Sequence, residues 1–243
     1  MTTTTQQLLN DGIRQHRAGN LHEAETFYRQ VLAERPDHPV ALYRLGLLAS
    51  QVGNHEVAVD LIRLAVGLDP KNPVAHYNLG VSLAALNRWD EAIAAYEQAI
   101  AARPQFPEAL NNLGIAHRGK ADYDAAVTAY RRAVEARPDY ADAWNNLGVT
   151  LQHQGQIDEA VAAYRRGLSL QPQRAAIRAN LGNALKERGD FDRAISEYQR
   201  ALELEPGHTQ AMIGLGQALA DRDRRLDVPH GGIADPAATE PRH

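Results

Sequence analysis

Asparagine side chains recur at one fixed step along this chain. Asn78, Asn112, Asn146 and Asn180 are each 34 residues apart. Asparagine is a mediocre residue inside a helix, so a regularly spaced set calls for a chemical reason. The carboxamide offers N–H donors and a carbonyl acceptor, and it can therefore pair with the C=O and the N–H of a peptide group. The spacing predicts a row of amides that holds an extended peptide by its backbone, with little regard for its sequence.

The same step extends this row toward both ends of the chain. Asn10, Arg44 and Gly214 occupy the corresponding positions, so Arg44 and Gly214 interrupt the run of asparagines. The residues immediately before four of the row positions are expected to share its surface: Tyr43, Tyr77, Asn111 and Asn145.

The elements that position these side chains follow the same period. Glycine and proline recur with it, at Gly12, Gly46, Gly80, Gly114, Gly148, Gly182 and Gly216 and at Pro36, Pro70, Pro104, Pro138, Pro172 and Pro206. A fixed period of this length is typical of a solenoid, in which each repeat is a pair of helices. We therefore predict an all-α fold whose stability comes from stacking between neighbouring repeats.

The stretch from Ala141 to Arg174 carries the repeat in its most complete form. Its landmarks are Trp144, Leu147, Gly148, Ala160, Tyr164 and Pro172. They resemble the tetratricopeptide repeat, whose pattern contains W-x2-L-G-x2-Y, then A-x3-F and a closing proline. The resemblance implies a right-handed superhelical solenoid of helix-turn-helix repeats. It also implies that first helices line a concave groove, with the residue before each Leu-Gly pair pointing inward, which makes the asparagine row a candidate peptide-binding surface.

The repeat boundaries follow from this pattern. We expect a solenoid over residues 5–220, with repeats at 5–38, 39–72, 73–106, 107–140, 141–174 and 175–208 and a half repeat at 209–220. Residues 223–243 are polar, rich in proline and glycine and without period, so we expect a disordered tail there. Within each hairpin, glycine ends the first helix through a positive φ. Ala121 stands at one of these glycine positions, and we expect a different turn there.

Parts of the chain are similar to one family of tetratricopeptide repeats in particular. The NNLG motifs at Asn111–Gly114 and Asn145–Gly148, and the stretch Asn180–Pro206, resemble the superhelical repeats of O-linked N-acetylglucosamine transferase. The resemblance implies an asparagine ladder like the one that binds substrate peptides in that enzyme. The sequence shows no glycosyltransferase domain, so only the docking surface carries over. An alternative function is an accessory or targeting module that acts with a separate glycosyltransferase-like chain.

Two structural alternatives stay open at this point. The asparagines could bond to neighbouring first helices and bind nothing. The lone seventh helix could be a cap over the sixth repeat. It could instead be an unfinished repeat that joins a second copy of the chain through Ile213, Leu215 and Leu219, since uncovered apolar patches mark interfaces.

Other functional classes lack support in the sequence. The formal net charge of −4 gives no basic stripe for nucleic acid. The chain has no cysteine, no apolar run of membrane-span length and no signal-peptide pattern, so a cytoplasmic location is expected. The ten histidines show no ligand spacing for a metal, and no phosphate-binding or nucleophile motif is present. We therefore predict a non-enzymatic scaffold that binds a protein or peptide and needs no cofactor.

Overall fold

The computed structural model describes residues 4–226. These residues contain thirteen α-helices and no strand, which confirms the predicted all-α repeat class. The helices are α1 Thr5–Arg17, α2 Leu21–Glu34, α3 Pro39–Gln51, α4 His55–Leu68, α5 Pro73–Ala85, α6 Trp89–Ala102, α7 Pro107–Gly119, α8 Tyr123–Ala136, α9 Ala141–His153, α10 Ile157–Leu170, α11 Ala175–Glu187, α12 Phe191–Leu204 and α13 Thr209–Leu226. The chain divides into two compact units, residues 1–156 with α1 to α9 and residues 157–243 with α10 to α13.

Proline sets both ends of the helical hairpins. In the first unit α3, α5 and α7 begin at Pro39, Pro73 and Pro107, where the missing N–H would have no helical partner in any case. The second helix α6 ends at Ala102, two residues before Pro104, because proline cannot continue a helix. Proline therefore fixes where these three hairpins start, and the periodic prolines stand just after the second helices.

A left-handed residue turns the chain between the two helices of each hairpin. Gly53 has φ +82°, and Asn87 has φ +57° at the equivalent position one repeat later. Ala121 has φ +59°, so the prediction of a different turn at this residue was wrong. The flanking helices impose the same geometry on alanine, although this conformation costs an L-residue with a Cβ about 1–2 kcal/mol.

A large buried side chain lying on a glycine forms the core of these hairpins, and in most of them it is a tyrosine ring. A Cβ added to Gly114 would lie 2.6 Å from Cε1 of Tyr130, and one added to Gly80 would lie 2.6 Å from Cε1 of Tyr96. The tyrosine rings are fully buried, so the absence of a side chain at glycine is what lets α5 and α7 approach their partner helices. Ile62 takes the same place opposite Gly46.

The final helix is longer than the sequence predicts. α13 continues to Leu226, so residues 221–226, beyond the expected half repeat, are helical, including 223–226 from the expected tail. Asp223 stands where the preceding repeat has the turn residue Gly189, and α13 continues through it. Arg225 donates a 3.1 Å hydrogen bond to the carbonyl of Gly189, which ties the extra helical residues to the turn between α11 and α12. Residues 227–243, where the rest of the tail was predicted, lie outside the described residues.

Acidic residues at the start of the second helices also join neighbouring repeats. In the first unit Lys120 pairs with Asp90, and Gln154 donates a 2.6 Å hydrogen bond to Asp124. In the second unit Arg188 contacts Asp158 at 3.2 Å, and Arg222 contacts Asp192 at 3.8 Å. Each pair joins residues 30 apart, so at these four places a polar contact fastens one repeat to the hairpin before it.

Candidate functional site

The predicted asparagine row lies on the first helices of the first unit. Asn78 belongs to α5, Asn112 to α7 and Asn146 to α9, and all three side chains are half-buried. Each amide donates to the first helix of the preceding repeat. Nδ2 of Asn78 lies 2.9 Å from the hydroxyl of Tyr43, Nδ2 of Asn112 lies 3.3 Å from the hydroxyl of Tyr77, and Nδ2 of Asn146 lies 3.0 Å from Oδ1 of Asn111. The row is therefore a set of hydrogen bonds between repeats, and ligand binding by the row stays a prediction.

The carbonyl oxygens of the row remain less occupied than its N–H groups. Asn78 uses Nδ2 a second time, toward the backbone carbonyl of Val74 at 2.9 Å, so both of its N–H groups have acceptors. Oδ1 of Asn112 accepts from Asn111 at 3.2 Å. Within residues 4–226 no donor of the protein is bonded to Oδ1 of Asn78 or Asn146. What the row can still offer a ligand is therefore mainly acceptor oxygens.

The neighbours of the row differ in how much surface they expose. Tyr43 and Tyr77 are half-buried and hold the asparagines through their hydroxyls, while Asn111 is only 5% exposed and acts between α7 and α9. Asn145 is half-buried on α9 and engaged in an interaction of its own. Asn180 lies on α11 of the second unit, where it is half-buried and also engaged, so its membership of the row stays a prediction.

Burial sets the ionisation of the groove tyrosines. Burial raises the pKa of the Tyr43 hydroxyl, although the charge of Arg44 and the hydrogen bond from Asn78 act to lower it. Burial likewise raises the pKa of Tyr77, and the carboxylate of Glu108 raises it further. Both phenols are therefore neutral at ordinary pH, and each can accept from an asparagine and donate to a second group.

Arg44 is the charged member of the row. Its side chain is half-buried, its Nε is buried without a hydrogen-bond partner, and its guanidinium lies 6.0 Å from the centre of the Tyr43 ring. In the part of the chain that the structure describes, no carboxylate forms a salt bridge with Arg44. Arg44 and Tyr43 line a cavity of about 190 Å³ together with residues from α4 and α5. The sequence pattern places Arg44 in the row, and the cavity beside it was not predicted.

The predicted self-association residues lie on the last helix. Ile213 is 57% exposed, and Leu215 and Leu219 are half-buried. A Cβ added to Gly216 would meet no atom within 4 Å, whereas the equivalent Gly182 has the Tyr198 ring against it at 2.7 Å. In residues 4–226, the face of α13 that would receive a second helix is therefore uncovered.

Two further features are absent from residues 4–226. No helix there combines the length and the apolar character that crossing a membrane requires. No cluster of three or more His, Asp or Glu side chains there has the arrangement of a metal site.

Comparison with known protein families identifies the repeat. Sequence profiles of the tetratricopeptide repeat match residues 111–175 and 179–227, and a second profile of this repeat matches residues 82–120. The chain is a tetratricopeptide repeat protein. The profile of anaphase-promoting complex, cyclosome, subunit 3 matches residues 17–99 of this tetratricopeptide repeat protein. No curated protein matches the sequence significantly.

Solved structures share the fold. A structure of MamA is 26% identical, with a TM-score of 0.66, and covers 72% of this chain and 96% of its own. PilF of Pseudomonas aeruginosa is 18% identical, with a TM-score of 0.75, and covers 88% of this chain and 97% of its own. YrrB, described as a TPR protein with an unusual peptide-binding site, is 22% identical, with a TM-score of 0.66, and covers 76% of this chain and 96% of its own.

Proposed function

We propose that this protein is a non-enzymatic scaffold that binds an extended segment of another protein along the first helices of its first unit. The observation that carries the proposal is a pair of acceptor oxygens, Oδ1 of Asn78 and Oδ1 of Asn146. Within the described residues neither oxygen accepts a hydrogen bond, and both side chains are partly exposed. Backbone N–H groups of an extended segment are the donors that fit them, because a peptide presents such groups at regular intervals. YrrB, of the same fold, is described as having a peptide-binding site.

The inter-repeat bonds support this role. Because Tyr43, Tyr77 and Asn111 hold the amides from one side, each asparagine is fixed in one rotamer before a ligand arrives. Preorganised groups lose less side-chain entropy on binding, so more of the interaction energy appears as affinity. On the repeat pattern of the sequence, Asn145 belongs to this surface, and we propose that Asn180 acts in the same way in the second unit.

The test is a titration with partner segments recovered by affinity capture on the full chain. We expect the combined Asn78→Ala, Asn112→Ala and Asn146→Ala variant to bind such a segment about tenfold more weakly, since the two hydrogen bonds accepted by Asn78 and Asn146, of about 0.5–1.5 kcal/mol each, are removed. The matched control is Gln30→Ala, Gln98→Ala and Arg132→Ala, three exposed residues of the second helices. Equal affinity of the ladder variant and the control, with both folded, contradicts the proposal.

Self-association through α13 is a second proposal, because Ile213 is 57% exposed and the face around Gly216 is uncovered. Light scattering should then report an oligomer that Ile213→Asp converts to a monomer. A wild-type chain that is monomeric at high concentration contradicts it.

A more specific assignment is the accessory module of a separate glycosyltransferase-like chain, which we propose on the motifs at Asn111–Gly114 and Asn145–Gly148. Co-purification of such a chain supports it, and capture of partners without any glycosyltransferase argues against it.

A further inference from the structure

The cavity beside Arg44 occupies a place that an aromatic ring fills in each of the next two repeats. Its wall is formed by Pro39, Val40, Tyr43, Ala65 and Ala75, with Arg44, Asp69 and Asn72 as its polar groups. Val40 is 41% exposed, so the cavity opens to solvent. It lies in the first unit, next to the Tyr43 hydroxyl that holds Asn78.

The next repeat fills this place with its own side chain. Phe106 stands 34 residues after Asn72 and is only 5% exposed. Its ring centre is 5.0 Å from that of Tyr77, the counterpart of Tyr43. The guanidinium of Arg103 lies 3.4 Å above the Phe106 ring, which completes an aromatic sandwich stabilised by a cation–π contact.

The repeat after that repeats the arrangement. Tyr140 occupies the same loop position, and the guanidinium of Arg137 lies 4.8 Å from its ring centre. Arg137 also pairs with Glu108. Two consecutive repeats therefore place an aromatic ring with an arginine against it between the first helix and the loop.

Asn72 leaves the earlier position open. Its Oδ1 accepts from the backbone N–H groups of Val74 at 3.2 Å and Ala75 at 3.1 Å, which caps α5. Its Nδ2 donates to Asp69 at 3.3 Å. The side chain is thus committed to the helix end and fills none of the apolar space below it, whereas Phe106 makes no side-chain cap.

We propose that this cavity binds an aromatic side chain, phenylalanine or tyrosine, of the segment that lies on the asparagine row. The inference rests on the proposed function, because that segment is what delivers the ring. Ala65, Ala75 and Tyr43 of the cavity wall stand 34 residues before Ala99, Ala109 and Tyr77. Asp69 stands in the place of Arg103, which lies against the Phe106 ring, so in this cavity the guanidinium comes from Arg44 of the first helix instead. An aromatic side chain enclosed in this way is a typical anchor of a protein interface.

An acidic side chain is the competing occupant, because Arg44 has no salt bridge in the described residues. Asp69 argues against it. Its carboxylate lines the same cavity and would face a bound anion directly. A ring avoids this repulsion and still satisfies the guanidinium through its π face.

The experiment uses the full chain labelled with ¹⁵N and three capped amino acids as probes: N-acetylphenylalanine amide, N-acetylaspartate amide and N-acetylalanine amide. We expect the phenylalanine probe to shift the backbone signals of Val40, Tyr43 and Ala75 in a saturable manner, and the alanine probe to leave them unchanged. Asn72→Phe should fill the cavity as Phe106 does and weaken probe binding at least tenfold. Asn72→Ala, which removes the cap but leaves the cavity open, should retain binding.

Three results overturn the inference: saturable shifts from the aspartate probe instead, binding to Asn72→Phe as tight as to the wild type, or no saturable shift at all. Thermal melting checks that both variants are folded. The ladder variant Asn78→Ala, Asn112→Ala, Asn146→Ala separates the two proposals. If a partner segment binds the wild type and this variant equally, the proposed role of the asparagine row is refuted. If the phenylalanine probe still binds the variant in that case, the aromatic pocket is supported independently.

Discussion

Asn78 and Tyr43 are joined by a 2.9 Å hydrogen bond that links two neighbouring repeats. The donor is the amide of Asn78 and the acceptor is the phenol of Tyr43, so the bond turns the asparagine oxygen away from the tyrosine. The same relation recurs between Asn112 and Tyr77. These bonds explain how a polar row can run through a stacked helical fold and still leave acceptors for a ligand.

Removal of the Tyr43 hydroxyl should weaken the stack. We expect Tyr43→Phe to lower the free energy of unfolding by about 1 kcal/mol, because the half-buried amide of Asn78 loses an acceptor. Urea denaturation measures the change. Tyr123→Phe is the control, since the Tyr123 ring stacks on His153 at 5.5 Å and its hydroxyl has no hydrogen bond in the described residues. Equal effects of the two substitutions would argue against a stabilising inter-repeat bond.

Two consensus glycines should respond to alanine with opposite signs. Gly114→Ala places a Cβ 2.6 Å from the buried Tyr130 ring, and overpacking of this kind costs about 1–3 kcal/mol. Gly216→Ala meets no atom within 4 Å and should stabilise α13 by up to about 1 kcal/mol through helix propensity. Differential scanning calorimetry on both variants gives the comparison. A Gly114→Ala chain that melts no lower than wild type rules out this packing.

The strained turn at Ala121 offers a stabilising substitution. Ala121→Gly should raise the free energy of unfolding by about 1 kcal/mol, because glycine adopts φ +59° without a Cβ clash. Gly53→Ala, at φ +82° and with no neighbouring atom within 4 Å, should lower it by a similar amount. Chemical denaturation at matched protein concentration distinguishes them, and a neutral Ala121→Gly contradicts the strain.

Much of the fold could be predicted from the sequence, because its residues act locally. Pro39, Pro73 and Pro107 each occupy the first position of a helix, which proline favours locally. The periodic glycines lie where the Tyr96 and Tyr130 rings pack against the first helices. Two features could not be predicted in this way. Ala121 keeps the glycine turn because the hairpin around it overrides local preference, and α13 continues past Asp223 through contacts of Arg222 and Arg225 with the preceding hairpin.

The candidate site was predictable in position but not in orientation. Sequence spacing located Asn78, Asn112 and Asn146, while rotamers decide that their N–H groups serve the neighbouring repeat. The sequence did contain a signal for this. The acceptors Tyr43, Tyr77 and Asn111 each stand one residue before a row position of the preceding repeat. The cavity at Asn72 had a signal too, in the change from Asn72 to Phe106 and Tyr140 at one loop position.

The buried tyrosines should make the fold sensitive to alkali. Burial raises the pKa of Tyr130 to about 12, although the charge of Arg118 acts to lower it, and burial also raises the pKa of Tyr96. Tyrosine in the unfolded chain titrates near pH 10. The folded state therefore keeps its full free energy of unfolding below about pH 10 and loses stability as the pH rises toward 12. Melting temperature and absorbance at 295 nm, followed from pH 8 to 12, should show unfolding and ionisation together. Tyrosines that all titrate near pH 10 in the folded chain would contradict this.

Tyr130→Phe tests at neutral pH how the buried Tyr130 hydroxyl affects stability. The Tyr130 hydroxyl is buried without a hydrogen-bond partner, so its removal should leave stability unchanged or raise it by about 1 kcal/mol. Tyr198→Phe is the matched control, because the Tyr198 hydroxyl donates a 2.6 Å bond to Asn183 and its loss should destabilise the second unit. Thermal melts at pH 7 test the pair, and a Tyr130→Phe chain less stable than Tyr198→Phe would be the opposite of this expectation.

The most direct test of the ladder is a calorimetric cycle with a backbone-modified ligand. A partner segment and its copy with methylated backbone nitrogens are titrated into the wild type and into the Asn78→Ala, Asn112→Ala, Asn146→Ala variant. If the asparagine oxygens accept peptide N–H groups, methylation weakens binding at least tenfold in the wild type and has little further effect in the variant. An equal loss in both proteins would show that the backbone of the ligand does not bind the asparagines.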